Sequence, residues 1–376
     1  MVKSYQKSRW FHTRISGGMR ENLIMLDLMG TRLGKRYSRF SEATPFLLTV
    51  VILLSCVSPV LRADESKNPI GTESGDRIVI LGGGFAERLQ YFGYFETLVF
   101  HHSSSRAPVI RNMAWSGDEV SMMPRPYNFI RSAGVGEPDD PNPGYGFGFE
   151  PDADHRILSA HLKARNADTI LLCFGAPESF QGETGLPKFA AKYQGLIDKL
   201  QSQKFNGESS PRLILVSPIA QENPGGAHSD PSGRNEHLEL YSGKIEEIAK
   251  QNALHFVDLF GPTLAAMEGG VSERLTIDGL QLNDRGHRVV AEELARGLGI
   301  TDPWSGKMEN LRQLVVEKNK QFFFRWRPIN GEYVYGRRRE PFGVVSYPPE
   351  MEQLDKMIAE LDQSIHSEAK KLNPLP

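Results

Sequence analysis

The stretch Arg77–Gln90, RIVILGGGFAERLQ, constrains the fold of this chain more than any other. Ile78, Val79, Ile80 and Leu81 form an unbroken apolar run, three glycines follow, and a helical pattern starts at once. That order reads as a buried strand, a turn too tight for side chains and a helix N-terminus. Such a junction sits at the carboxyl edge of a parallel sheet, where open α/β folds bind ligands. Triple glycine also lets backbone N–H groups approach a ligand closely. It lacks the GxGxxG spacing and the lysine of a phosphate loop, so a tight turn without chemistry fits the same residues.

The rest of the chain repeats the alternation. Strands are expected at 77–81, 109–114, 168–174, 212–216 and 255–259, with helices at 92–100, 155–165, 186–201, 235–252 and 289–298. Strands separated by helices imply right-handed crossovers and a parallel sheet with helices on both faces. Functional residues are then expected in the turns that end the strands. Residues 124–151 hold six prolines and five glycines without periodicity, which marks an insertion loop. From about Trp304 the composition changes to an aromatic cluster (Phe322–Trp326), a basic triplet (Arg337–Arg339) and a polar amphipathic helix at 351–371. Solvent-exposed aromatics would be a liability, so 304–376 is expected to fold back on the main domain, 64–303.

Residues 1–63 stand apart from that core. Pro45–Val57 is an apolar run of signal-peptide length, too short to span a bilayer comfortably. Arg32, Lys35, Arg36 and Arg39 precede it, and Val60–Ala63 offers a small residue for cleavage. The basic region is long if Met1 is the start; Met25 or Met29 would give an ordinary signal peptide. Export to the periplasm or beyond is the expectation, with an uncleaved anchor through 45–57 and lipidation at Cys56 as open alternatives. Membrane association is expected only through this segment. Residues 1–63 carry a net +7, so the whole chain's −2 becomes −9 for residues 64–376. That argues against a nucleic-acid partner, which needs a basic face. Past the signal only Cys173 remains, so no internal disulfide is available. No Cys/His cluster has zinc spacing, and His101-His102 is expected to be solvated; neither metal nor cofactor is expected.

The order of turns resembles the SGNH (GDSL-type) hydrolase and esterase family, a three-layer α/β/α, flavodoxin-like fold. Leu81-Gly82-Gly83-Gly84 is similar to its Gly-Asp-Ser block. Asn112–Asp118 is similar to the block carrying the oxyanion glycine, Phe174–Glu178 to Gly-x-Asn-Asp, and Asp278–Asn283 to Asp-x-x-His. The resemblance covers about residues 76–300, and phrases such as RNMAWSGDEV and YGRRREPFGVVSYPPE look similar to a planctomycete branch of exported members. It implies hydrolysis of carboxyl esters, sometimes O-acyl groups on carbohydrates. It also implies five site positions, of which Gly117 and Asp278 keep the family residue. Gly84 stands at the serine, Pro177 at the asparagine and Gln281 at the histidine. Glycine has no nucleophile, proline no donor, and an amide cannot serve as a base near neutral pH. The implication is a degenerate member whose cleft binds a carbohydrate or acylated ligand.

Two alternatives stay open. An active esterase would use Ser116 or Ser179 with His287, and Asp118 or Glu119 as carboxylates. The simpler reading makes Ser116 a turn residue, Ser179 a loop hydroxyl, Glu119 a first-turn helix acid and His287 an outward-facing residue. A structural module would contact another chain through the 304–376 aromatics and basic triplet.

Overall fold

The structure, a computed structural model, describes residues 70, 75–126, 149–151, 155–225, 230–268, 274–328 and 344–373. The proposed export segment, the interior of the 124–151 insertion and the basic triplet lie outside them. Five strands form one parallel sheet: β1 (Arg77–Gly82), β2 (Val109–Asn112), β5 (Thr169–Cys173), β6 (Arg212–Val216) and β7 (His255–Val257). Their order is β2-β1-β5-β6-β7, so the winding reverses between β1 and β5. With helices on both faces this is the flavodoxin-like, three-layer α/β/α arrangement, and its switch point places a ligand site at the carboxyl ends of β1 and β5. Two short strands, β3 (Pro124–Pro126) and β4 (Phe149–Pro151), pair antiparallel and close the base of the insertion.

Alternation along β1 divides the core. Ile78 and Ile80 face one layer with Phe95, Leu98, Ala291 and Leu294, while Val79 and Leu81 face the other with Leu158, Leu162, Leu196 and Ile197. At the end of β1 the chain runs against β5 so closely that a Cβ on Gly82 would lie 2.3 Å from the Cys173 carbonyl oxygen. Only glycine fits there, and its φ of +148° adds a second reason.

Helices follow as α1 (Gly84–Phe92), α2 (Tyr94–His102), α3 (Arg156–Ala164), α4 (Gly182–Gln201), α5 (Ser232–Gln251), α6 (Phe260–Glu268) and α7 (Asp284–Gly297). The continuous helix expected at 92–100 is instead broken: Gly93, at φ 71°, ends α1 and starts α2. No helix starts at Glu119, which pairs across a tight turn with Met122. His101 and His102 are half-buried and face Asp302, at 3.9 and 3.6 Å, rather than standing free in solvent. Desolvation is what lowers the His101 pKa.

The C-terminal residues fold back on the sheet as α8 (Glu309–Trp326) and α9 (Val344–Leu372). Leu311 and Val315 join one core layer, Phe322 and Trp326 the other. Burying such side chains contributes roughly 1.5–3 kcal/mol each. Arg111 of edge strand β2 is bonded to Asp362 of α9, and Lys318 of α8 donates to the Ile110 carbonyl, so the extension covers an edge that would otherwise invite pairing. Among the described residues no helix is long and apolar enough to cross a membrane.

Candidate active site

A cavity of about 380 Å³ opens at the carboxyl edge of the sheet, where the switch point places it. Its wall on one side is a single face of α1: Gly84, Glu87, Arg88 and Tyr91, spaced i, i+3, i+4, i+7. Gln281, Leu282 and His287 from the turn and helix after β7 complete it, together with Ala176, Ile219, Arg234 and Leu238. Gly84 and Gln281, expected at one site, therefore line one cavity.

The other expected positions divide. Ser116 lines the cavity, and a Cβ on Gly84 would meet only its Oγ, at 3.4 Å. That hydroxyl and its own backbone N–H (2.7 Å) both donate to Oε2 of the buried Glu87. The other Glu87 oxygen accepts from Arg327 at 2.6 Å, and the Arg327 guanidinium lies 3.5 Å from the centre of the Trp115 ring. Gly117 follows, exposed, at φ 95°. Asp118 does not reach the cavity; it pairs with Arg125 at 2.6 Å, and burial pushes its carboxyl up.

Pro177 leads into a short 3-10 turn and touches the cavity only through its neighbour Ala176. Glu178 accepts N–H bonds from Gly175 (3.0 Å) and Val120 (2.9 Å), tying the turn after β5 to the turn after β2. Ser179 is fully buried, donates to the Ala176 carbonyl at 2.8 Å and accepts from Arg234 at 2.6 Å. Its hydroxyl is committed to that packing and does not line the cavity. Asp278 is exposed and accepts the N–H groups of Leu280 and Gln281 (3.0 and 2.7 Å). The Gln281 N–H is the main reason its carboxyl titrates below the usual range.

His287 departs furthest from expectation. It does not face outward: it is 1% exposed and stacks on Phe92, ring centres 3.8 Å apart. Helix α7 begins earlier than its apolar pattern suggested, capped by Asn283, whose side chain accepts the Gly286 N–H at 2.8 Å. Neither ring nitrogen of His287 has a hydrogen-bond partner, and burial pushes its pKa down to about 3. Because the folded value lies below the ordinary 6.5, the unfolded chain binds the proton and the folded protein refuses it. Stability is therefore unaffected above pH 6.5 and falls as pH drops below it, by at most about 1.4 kcal/mol per unit. His287→Phe, which keeps a ring against Phe92, is expected to remove this part of the acid limb. Urea unfolding of both proteins from neutral pH to about pH 5 should show the wild type losing up to ~2 kcal/mol more stability than the variant; equal losses would refute the assignment.

Glu87, Arg88, Arg234 and Arg327 were missed in the sequence. The first two were legible as the helical face that begins at Gly84; the arginines at 234 and 327 reach the site only through the fold. Among the described residues no group of acidic, His or Cys side chains is placed to hold a metal ion. Cys173 is buried, and desolvation pushes its thiol up to about 12.

Residues 101–289, just over half of the chain, match the GDSL-like Lipase/Acylhydrolase family. The chain belongs to that family. Similar solved structures include an acetylxylan esterase from Geobacillus stearothermophilus, with 16% identity, a TM-score of 0.42, and 60% of this chain and 95% of that one covered. Another is an alpha/beta hydrolase from the metagenome of Lake Arreo, at 15% identity and TM-score 0.41, covering 62% of this chain and 99% of that one. A third is a gut microbial diltiazem-metabolizing enzyme, at 16% identity and TM-score 0.42; 60% of this chain aligns, and it spans about half of that protein's length (47%). A comparison with curated proteins gives no match. In this GDSL-like member Gly84 and Gln281 line one cavity.

Proposed function

We propose that this GDSL-like protein is exported, has lost ester hydrolysis, and keeps its cleft as a binding site for a carbohydrate or acylated small molecule. One observation carries the reading: among the described residues, no hydroxyl lining the cavity is hydrogen-bonded to an imidazole. Acyl transfer by a serine needs nucleophile and base within bonding reach. Here the hydroxyl, Ser116, is held by Glu87, and the imidazole, His287, is stacked on Phe92. Tyr91, half-exposed at the rim, gives a sugar ring or acyl chain an aromatic face. The apolar run at 45–57 supports export.

A second reading deserves a test because Ser116 Oγ lies 3.4 Å from where a Gly84 side chain would begin. In it Ser116 is the nucleophile and Glu87 the base. The wild-type protein is expected to show no turnover of p-nitrophenyl acetate or butyrate and no serine labelled by a fluorophosphonate probe. Labelling at Ser116, lost in Ser116→Ala, would overturn the proposal in favour of a relocated nucleophile.

A further inference from the structure

The cavity's own polar groups point to a ligand of one charge. Arg88 makes no ion pair and no hydrogen bond with a described residue, and its buried Nε is without a partner. Among the described residues Arg234 donates only to neutral oxygens, Ser179 Oγ and the Ala176 carbonyl (2.6 Å each), and lies 3.8 Å from the centre of the Phe180 ring; its Nε is likewise buried and without a hydrogen-bond partner. His287 adds two buried ring nitrogens with no partner on the same cavity. The one carboxylate among the lining residues, Glu87, is already neutralised by Arg327 at 2.6 Å. Asp278 stands nearby and feels the Arg88 charge, but it is exposed and spends its oxygen on two backbone N–H groups.

Orphaned buried donors cost roughly 1–3 kcal/mol each, so a site that keeps several of them is built to be completed by an acceptor. Two guanidiniums in one cavity with no carboxylate partner among the described residues select an acceptor that is charged, since arginine forks match planar oxyanions bidentately. The rest of the lining is apolar: Phe85, Ile219, Leu238 and Leu280 leave room for a carbon body but offer it no hydrogen bonds. The domain that encloses this cavity belongs to a sequence with −9 overall after residue 63, so the positive cavity is a local departure.

We infer that the cleft recognises a small organic acid, its carboxylate held by Arg88, Arg234 and a ring N–H of His287, its carbon body against the apolar wall. This rests on the reading of the cleft as a binding site and names the ligand's anchoring group. Desolvation keeps His287 uncharged at neutral pH, so it contributes a donor and the arginines supply the charge.

Two matched pairs test it on the full protein by calorimetric titration at neutral pH and constant ionic strength: glucuronate against glucose, and hexanoate against hexanamide. In at least one pair the acid is expected to bind tenfold or more tightly than its neutral partner, and Arg88→Gln should erase that preference. Among the described residues Arg88 has no hydrogen bond or ion pair to lose, only a 6.0 Å approach to the Phe92 ring, so the variant's melting temperature should stay close to wild type; if it does not, Arg88→Lys, which keeps the charge, should retain part of the preference. Neutral partners binding as tightly as the acids, no binding of either acid up to its solubility limit, or an unchanged preference in folded Arg88→Gln would each overturn the inference. Ester turnover is scored separately: hydrolysis with an acid preference sinks the loss of catalysis and leaves the anion site standing, and the converse result does the reverse.

Discussion

Replacing Lys318 by methionine is expected to destabilise the protein by about 3–5 kcal/mol, a large share of the roughly 5–15 kcal/mol that holds a domain together. Lys318 is fully buried in α8, and its Nζ donates to Glu96 Oε2 (2.5 Å), Asn319 Oδ1 (2.6 Å) and the Ile110 carbonyl (3.1 Å). Asn319 completes the cluster by donating to the other Glu96 oxygen at 2.7 Å. Desolvation lowers the lysine pKa, and the Glu96 charge opposes that fall. Methionine would fill the space and leave Glu96 buried with its cation gone, which is the costly half of breaking such a pair. Adding Glu96→Gln should recover much of the loss, because an amide needs no counter-charge. Denaturant midpoints of the two single variants and the double variant give the coupling directly. Additive losses would show that the cluster contributes by packing alone.

That cluster also explains why part of the fold was hidden in the sequence. Alternating apolar and helical segments gave the strand order's raw material, because β-branched runs and polar turns are local signals. The break at Gly93 was only partly local. Its φ of +71° is a local demand for glycine, but a Cβ there would also lie 2.9 Å from Val316 Cγ2, a demand made by α8, more than two hundred residues later. His287 was misjudged for a similar reason: its burial comes from Phe92, on an element at the far end of the chain. Within the site, the meeting of Gly84 and Gln281 was readable because both lie in short turns with characteristic neighbours. Arg234 and Arg327 were not, since nothing in a helix interior or in the residue after a helix announces which cavity the side chain enters. Arg327 links the two levels: it extends from the end of α8 to Glu87, so the segment anchored by Lys318 also positions the residue that holds Ser116.

Placing a serine and a histidine at positions 84 and 281 is expected to raise ester hydrolysis above that of the wild-type protein. Gly84→Ser with Gln281→His would put a hydroxyl and an imidazole at the edge of one cavity, because both positions line it. The structure tolerates the first change: Gly84 has no left-handed φ, and a Cβ there meets only Ser116 Oγ, at 3.4 Å. For the second, Asp278 sits three residues away, where the resemblance places the residue that orients a histidine. Its carboxylate, now spent on the N–H groups of Leu280 and Gln281, is exposed and already ionised at neutral pH. Each single change should do little, since nucleophile and base act as a unit. The double variant should hydrolyse p-nitrophenyl acetate above background and accept a fluorophosphonate probe at the new hydroxyl. Pro177 still withholds a donor from the developing oxyanion, and one such donor is worth about 10²–10³ in rate, so Pro177→Asn should raise turnover by up to that factor. A double variant that melts like wild type yet is neither labelled nor more active than the single changes would mean that Gly84 and Gln281 share a cavity without sharing a reaction centre.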